Sequence, residues 1–275
     1  MATVIRFSPT RLGTHLRRMG AAVERSAGLF TIVPVRSAGA ADLATGDGVA
    51  ALLWLPVLGA VLGAVAGLPD VAVRQWAPHA GPLGAVLSMA ALAVMTRCLH
   101  LDGLADTTDG LASRAPAERA LEIMRKSDIG PFGVVALVFV LLADVVALSG
   151  IPGDAWTPVP ILAVAAATGR VAAVQAAMRG VPAARSSGFG ALVADGVPVG
   201  AVAAWTVVVL MFGTVLAQSA DVPVVWLVAV QCCAMAAGWL LRRHAVRRLG
   251  GTTGDVFGAL IEVVTAVALV GMVLW

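Results

Sequence analysis

The chain has 275 residues, 59% of them hydrophobic and only 13% charged, with a mean hydropathy of +0.92. A soluble domain is about a quarter charged and a little under half apolar, so a soluble globular domain is excluded. The net charge of +3 falls mostly in the segments between apolar runs. There a basic excess reports membrane topology, and no nucleic-acid partner is expected.

Thirty glycines, fourteen prolines and no tyrosine suit close-packed helices. A β-barrel would need short alternating strands and aromatic girdles, and neither is present. The expectation is an all-α polytopic membrane protein in the lipid bilayer. Its parts are a basic N-terminal segment, 1–48, and a single membrane domain, 49–275.

In chain order, Arg11 to Arg25 reads as an amphipathic helix at the membrane surface, started by Pro9 and Thr10. No apolar stretch before a small-residue cleavage site marks a signal peptide. Crossing the hydrocarbon takes about 20 apolar residues. Seven runs qualify: Val49–Leu68, Leu83–Leu101, Phe132–Ile151, Pro158–Met178, Val197–Ala217, Val222–Leu241 and Val256–Trp275. Arginines and lysines crowd the N-terminal segment and the loops after the second, fourth and sixth runs, whereas the other side holds only Arg74. The asymmetry predicts a multi-pass protein of the cytoplasmic (inner) membrane, with its N-terminus and chemistry on the cytoplasmic side. Cys98, Cys232 and Cys233 lie in apolar runs and read as packing residues.

The most informative stretch is His100-Leu-Asp-Gly-Leu-Ala-Asp-Thr-Thr-Asp-Gly-Leu111. Asp102, Asp106 and Asp109 are spaced i, i+4, i+7, within about 60° of one another on a helix. Such a face repels itself unless a cation converts repulsion into coordination, and oxygen-only ligands favour Mg2+ or Mn2+ over zinc. Gly103 and Gly110 edge the stripe and would admit a phosphate ester or another backbone. His100 points to the opposite face and reads as packing.

Near the end of the chain, Asp255 and Glu262 share a second helix face, with Glu262 inside the last apolar run. Gly251, Thr253 and Gly254 lead into that helix N-terminus, a seat for an anion. If both acidic faces serve one centre, the two helices pack together, with Gly103, Gly110 and Gly258 allowing close approach. Arg170, inside the fourth run, needs either to snorkel or to find a partner, an anionic substrate group or one of the carboxylates. The segment from Arg125 through Asp128 to Gly133 is either a solvated turn or a substrate contact. Arg185-Ser-Ser-Gly-Phe-Gly190 either contacts phosphate or connects spans. Asp144 reads as structural.

These residues carry a family resemblance. His100–Leu111 resembles the His-Leu-Asp-Gly-x-Ala-Asp-x-x-Asp-Gly signature of the cobalamin synthase (adenosylcobinamide-GDP ribazoletransferase) family. Gly251–Glu262 is similar to its C-terminal Gly-x-Thr-Gly-Asp-x-x-Gly-Ala-x-x-Glu segment. Phe30–Val35, Leu55–Gly67 and Leu121–Gly133 resemble further family segments, so the likeness runs from about residue 27 to 266. Lys126 and Asp128 invert the charge order common around the family's serine, matched by Ser127.

The resemblance implies joining of adenosylcobinamide-GDP to α-ribazole or its 5′-phosphate, releasing GMP and requiring Mg2+. On that reading Asp102, Asp106, Asp109, Asp255 and Glu262 are candidate metal ligands. Asp109, or else Asp106, accepts the proton of the attacking ribazole hydroxyl. Gly103, Gly110, Arg125, Asp128, Arg170, Gly251, Thr253 and Gly254 are candidate substrate contacts. The carboxylates alone also suit a CDP-alcohol or lipid phosphotransferase, or a cation-coupled transporter. A homo-oligomer stays open.

Overall fold

The computed structural model describes residues 9–35, 43–217 and 222–275. Among them the regular elements are helical, and two isolated bridges, Met178 with Val197 and Ala183 with Thr252, are the extended pairings. Six stretches are long and apolar enough to cross a membrane: Leu55–Trp76, Pro78–Met95, Pro131–Gly150, Pro158–Ala176, Val224–Leu249 and Gly254–Val273. Val199–Val215 is a shorter apolar helical stretch at the place of the fifth expected run. The chain is a multi-pass, all-helical membrane protein.

The helices are α1 (Pro9–Phe30), α2 (Thr45–Leu53), α3 (Leu55–Ala66), α4 (Leu68–Trp76), α5 (Gly81–Met95), α6 (Leu99–Ala112) and α7 (Ala117–Ile123). They continue with α8 (Pro131–Gly150), α9 (Pro158–Ala176), α10 (Phe189–Val193), α11 (Val199–Ala217), α12 (Val224–Leu249) and α13 (Gly254–Val273). Proline sets several starts: Pro56, Pro69, Pro82, Pro131 and Pro158 or Pro160 fall in first turns, where a missing N–H costs nothing.

Three expected boundaries differ. The first crossing begins at Leu55, because Pro56 interrupts the helix that begins at Thr45. The second crossing stops at Met95, not Leu101. Arg97 and Cys98 take left-handed conformations, φ 54° and 55°, and end α5, so the acidic stripe has its own helix outside the crossing segments. The sixth crossing runs on to Leu249, which puts Arg242, Arg243, Arg247 and Arg248 on a helix instead of in a loop.

The most buried helix is α9. Every residue from Ile161 to Val174 is buried, and α3, α11, α12 and α13 pack around it. Close packing of small and β-branched side chains holds such bundles, since lipid offers no hydrophobic drive for helix association. Two polar knots tie the ends. At one, buried Asp70 pairs with Arg74 at 3.3 Å, and Arg74 donates to the carbonyls of Ile151 and Leu148. At the charged end, Arg248 donates to the carbonyl of Ala115, and Arg97 to that of Leu29, which ties α1 to the bundle.

Candidate active site

At the charged end α6 lies against the start of α13. A Cβ on Gly103 would come within 2.7 Å of the Asp255 carbonyl oxygen, and one on Gly258 within 3.0 Å of that of His100. Glycine at both positions lets the two backbones meet, and this brings Asp102 and Asp106 beside Asp255. The segment from Ala177 to Pro198 then folds over the junction. It is stitched down by Ala184 N–H to the Thr252 carbonyl at 3.0 Å and Thr252 N–H to that of Pro182 at 2.9 Å. Gly190 rides directly on Thr253 and Gly254, 2.8 Å from a Cβ built there.

This segment supplies Arg185, whose Nη1 donates to Asp255 Oδ2 at 3.0 Å and whose Nη2 donates to the Leu121 carbonyl at 3.1 Å. Thr253 Oγ1 donates to the same Asp255 oxygen at 3.2 Å and accepts from the Val256 amide, capping α13. Both hydrogen bonds hold Oδ2, so Oδ1 is the oxygen left to a ligand. Asp106 is half-buried. Burial first, then repulsion from Asp102 and Asp255, pushes its pKa up to about 7.

Two cavities meet at Asp102. The first, about 320 Å³, is lined by Asp102, Arg185, Thr253, Gly254 and Asp255 at one end and by aromatic and aliphatic side chains at the other. The second, about 540 Å³, is lined by Asp102, Asp106, Arg125, Lys126, Ser127 and Asp128 among others.

The expected site residues separate by where the fold places them. Asp109 turns away from the stripe: its two oxygens accept the amides of Gly130 at 2.8 Å and Gly133 at 2.9 Å, capping α8 from outside. Each oxygen thus holds one backbone amide, so Asp109 braces the start of α8 while its charge still bears on Asp106. Glu262 lines neither cavity. It lies 3.8 Å from His100 Nδ1, which is 3.5 Å from Arg170 Nη2, so Arg170 and Glu262 form a buried cluster joining α6, α9 and α13. Three glycines face protein instead of substrate: Gly103 meets Asp255, Gly110 meets Met124, and Gly251 meets Ala183. Thr253, Gly254, Arg125 and Asp128 do line the cavities, as do Asp102, Asp106 and Asp255.

Residues 24–273 match the cobalamin-5-phosphate synthase family. The chain belongs to that family. It is 40% identical over 257 residues to the adenosylcobinamide-GDP ribazoletransferase of Frankia casuarinae, covering 89% of this chain and 91% of that one. It is 38% identical over 211 residues to the protein of that name from Citrobacter koseri, and 37% over 217 residues to the one from Klebsiella pneumoniae; each match covers 77% of this chain and 82% of the relative. No solved structure matches.

For this cobalamin-5-phosphate synthase family chain, the side chain missed among the site residues is Arg185. Its signal was a basic residue in a Ser- and Gly-rich loop, which alone does not distinguish a connection from a site. Phe30, Phe189 and Phe257, which line the first cavity, each lie in a segment the sequence singled out, but nothing in it brought the three rings together.

Proposed function

We propose that the chain transfers the adenosylcobinamide-phosphate group of adenosylcobinamide-GDP to α-ribazole or its 5′-phosphate, with release of GMP, at the cytoplasmic face of the inner membrane. The observation that carries this reading is the meeting of Asp102, Asp106, Asp255 and Arg185 between two cavities, in a chain whose relatives bear that activity in their names.

The donor set suits Mg2+. Among the described residues no three metal-binding side chains are already drawn into one ligand group, but Asp102 and Asp106 offer oxygens to the same cavity. Mg2+ is commonly held by one or two carboxylates together with substrate phosphates, so a closed protein cage is not needed. When bound there it would neutralise charge developing on the diphosphate.

The remaining work falls to protein groups. Arg185 fixes Asp255 and adds positive charge beside the reacting phosphorus. An acceptor ribose hydroxyl attacks the phosphorus that carries cobinamide. The new P–O bond forms as the bond to the GMP phosphate breaks, the hydroxyl proton passes to Asp255 Oδ1, and GMP leaves with the bridging oxygen.

A CDP-alcohol phosphotransferase would use similar metal chemistry on a lipid alcohol, and a transporter would release no nucleotide. GMP release by the purified full chain, supplied with adenosylcobinamide-GDP, α-ribazole and Mg2+, separates the three. Asp102→Asn should slow release at least a hundredfold. Release driven by a diacylglycerol and not by α-ribazole would overturn the reading.

A further inference from the structure

The two cavities that share Asp102 differ in chemistry. In the smaller one Phe189 stands between Phe30 and Phe257, with ring centroids 5.2 and 6.3 Å away and interplanar angles of 85° to each. Leu52 and Ile261 complete that apolar end. Edge-to-face clusters of this kind present ring surface to a flat aromatic guest. The opposite end carries Asp255, Arg185 and Asp102, and Arg185 Nε is buried there without a hydrogen-bond partner among the described residues. The cavity thus has one apolar and one polar pole.

The larger cavity has no aromatic side chain in its lining; its apolar part is aliphatic, including Leu101, Met124, Leu137 and Leu141. Arg125 and Lys126 give it positive charge, Asp128 a carboxylate, and Asp106 with Asp102 its acidic wall. Its rim from Arg125 to Ile129 is exposed.

Resting on the proposed transfer, we infer that the aromatic cavity binds the acceptor nucleoside and the basic cavity binds the guanosine diphosphate end of the donor, on opposite sides of Asp102. A methylated benzimidazole has little hydrogen-bonding capacity and loses little on entering a phenylalanine-lined space. Guanine presents donors and acceptors along its edges, and burying them against phenylalanine would leave them unpaired. The basic cavity supplies what a guanosine diphosphate needs: Arg125 and Lys126 for phosphate charge, and Asp128 as an acceptor for the guanine N1–H and amino group.

Size agrees, because about 320 Å³ is at the lower end for small-molecule pockets. It suits one nucleoside and not a corrin. The arrangement also meets the requirement of in-line displacement. The attacking hydroxyl comes from the Asp255 side, the leaving GMP departs on the Asp106 side, and the phosphorus lies between.

The test uses the purified full chain in detergent and measures direct binding of α-ribazole and of GMP by calorimetry, together with KM for each substrate. Both ligands should bind the wild-type protein simultaneously. Phe189→Leu, which keeps an apolar side chain in the cluster, should weaken α-ribazole binding and raise its KM about tenfold, a loss within the range for one aromatic contact, while GMP affinity stays within about twofold of the wild type. Lys126→Ala should do the converse. Mutually exclusive binding, or Phe189→Leu weakening GMP and sparing α-ribazole, would overturn the cavity assignment even with wild-type transfer intact. A wild-type protein that performs no transfer from adenosylcobinamide-GDP would overturn both the assignment and the proposed function.

Discussion

Asp109 shows how a side chain within a motif can be tied to the fold. In sequence it completes an acidic stripe. In space its carboxylate takes the Gly130 and Gly133 amides, two of the donors a helix start leaves unsatisfied. Asp109→Asn keeps one acceptor oxygen and loses the other, and should cost about 1 kcal/mol of stability with little change in the Mg2+ required for half-maximal rate. Thermal melts and Mg2+ titrations of the purified variant check this. An unchanged melt with a raised Mg2+ requirement would return Asp109 to the metal site.

Asp106 behaves differently, because burial and the neighbouring Asp102 and Asp255 carboxylates hold its pKa at about 7. In the metal-free fold this raised value makes Asp106 stabilising at low pH, and the advantage is lost as pH rises from the usual carboxylate value, 3.8, to about 7. A cation needs the deprotonated form. Below pH 7 a proton must leave before the metal binds, and the half-saturating Mg2+ concentration should rise by about tenfold per pH unit. Above pH 7 it should be flat. Measured between pH 6 and 8, Asp106→Asn should need more Mg2+ throughout and lose the slope. A wild-type requirement independent of pH would remove Asp106 from the ligand set.

At the level of elements, the junction of α6, α9 and α13 matters most. His100, Arg170 and Glu262 come one from each of these helices and meet in the buried interior. Removing one partner from a buried charged cluster commonly costs about 3–5 kcal/mol, because the charge left behind has no solvent. Glu262→Gln should therefore lower the melting temperature clearly, while transfer by the folded fraction keeps the wild-type Mg2+ requirement. A raised requirement at an unchanged melting temperature would instead place Glu262 among the metal ligands. Arg170 shows why its sequence reading stayed open: a buried cation needs an anion, and only the packing of α6, α9 and α13 brings Arg170 and Glu262 to the same His100 ring.

For the whole molecule, the crossing segments and the basic loops define two ends. The acidic site, the arginines at the end of α12 and the covering segment of residues 177–198 share one of them. Arg74 with Asp70 is the charged pair holding the other. The basic excess predicts that the site end faces the cytoplasm. Cysteines placed at Ser113 and Ser186 should be labelled by a membrane-impermeant thiol reagent only in inverted vesicles, and one at Asp154 only in intact cells. The background must have Cys98, Cys232 and Cys233 replaced, since all three are exposed on the chain. Labelling of Ser113 in intact cells would reverse the map.

Composition and the run of apolar residues determined that this is a helical multi-pass membrane protein, because hydrocarbon demands both apolar side chains and internally satisfied backbones. The spacing of Asp102 and Asp106, the Thr253-Gly254-Asp255 helix start and the family motifs around them pointed to the segments that the fold brings together. What sequence could not decide was which carboxylates remain available. Asp102, Asp106, Asp109, Asp255 and Glu262 are alike in residue chemistry, and their surroundings separate only through partners distant in the chain. The Gly130 and Gly133 amides donate to Asp109, His100 stands between Glu262 and Arg170, and Arg185 fixes Asp255. The break at Arg97 and Cys98, invisible to hydropathy, then sets α6 as a separate helix against α13. A hydropathy window sums side chains, whereas the direction of a helix depends on two backbone torsions and on the glycines that let Gly103 and Gly258 touch.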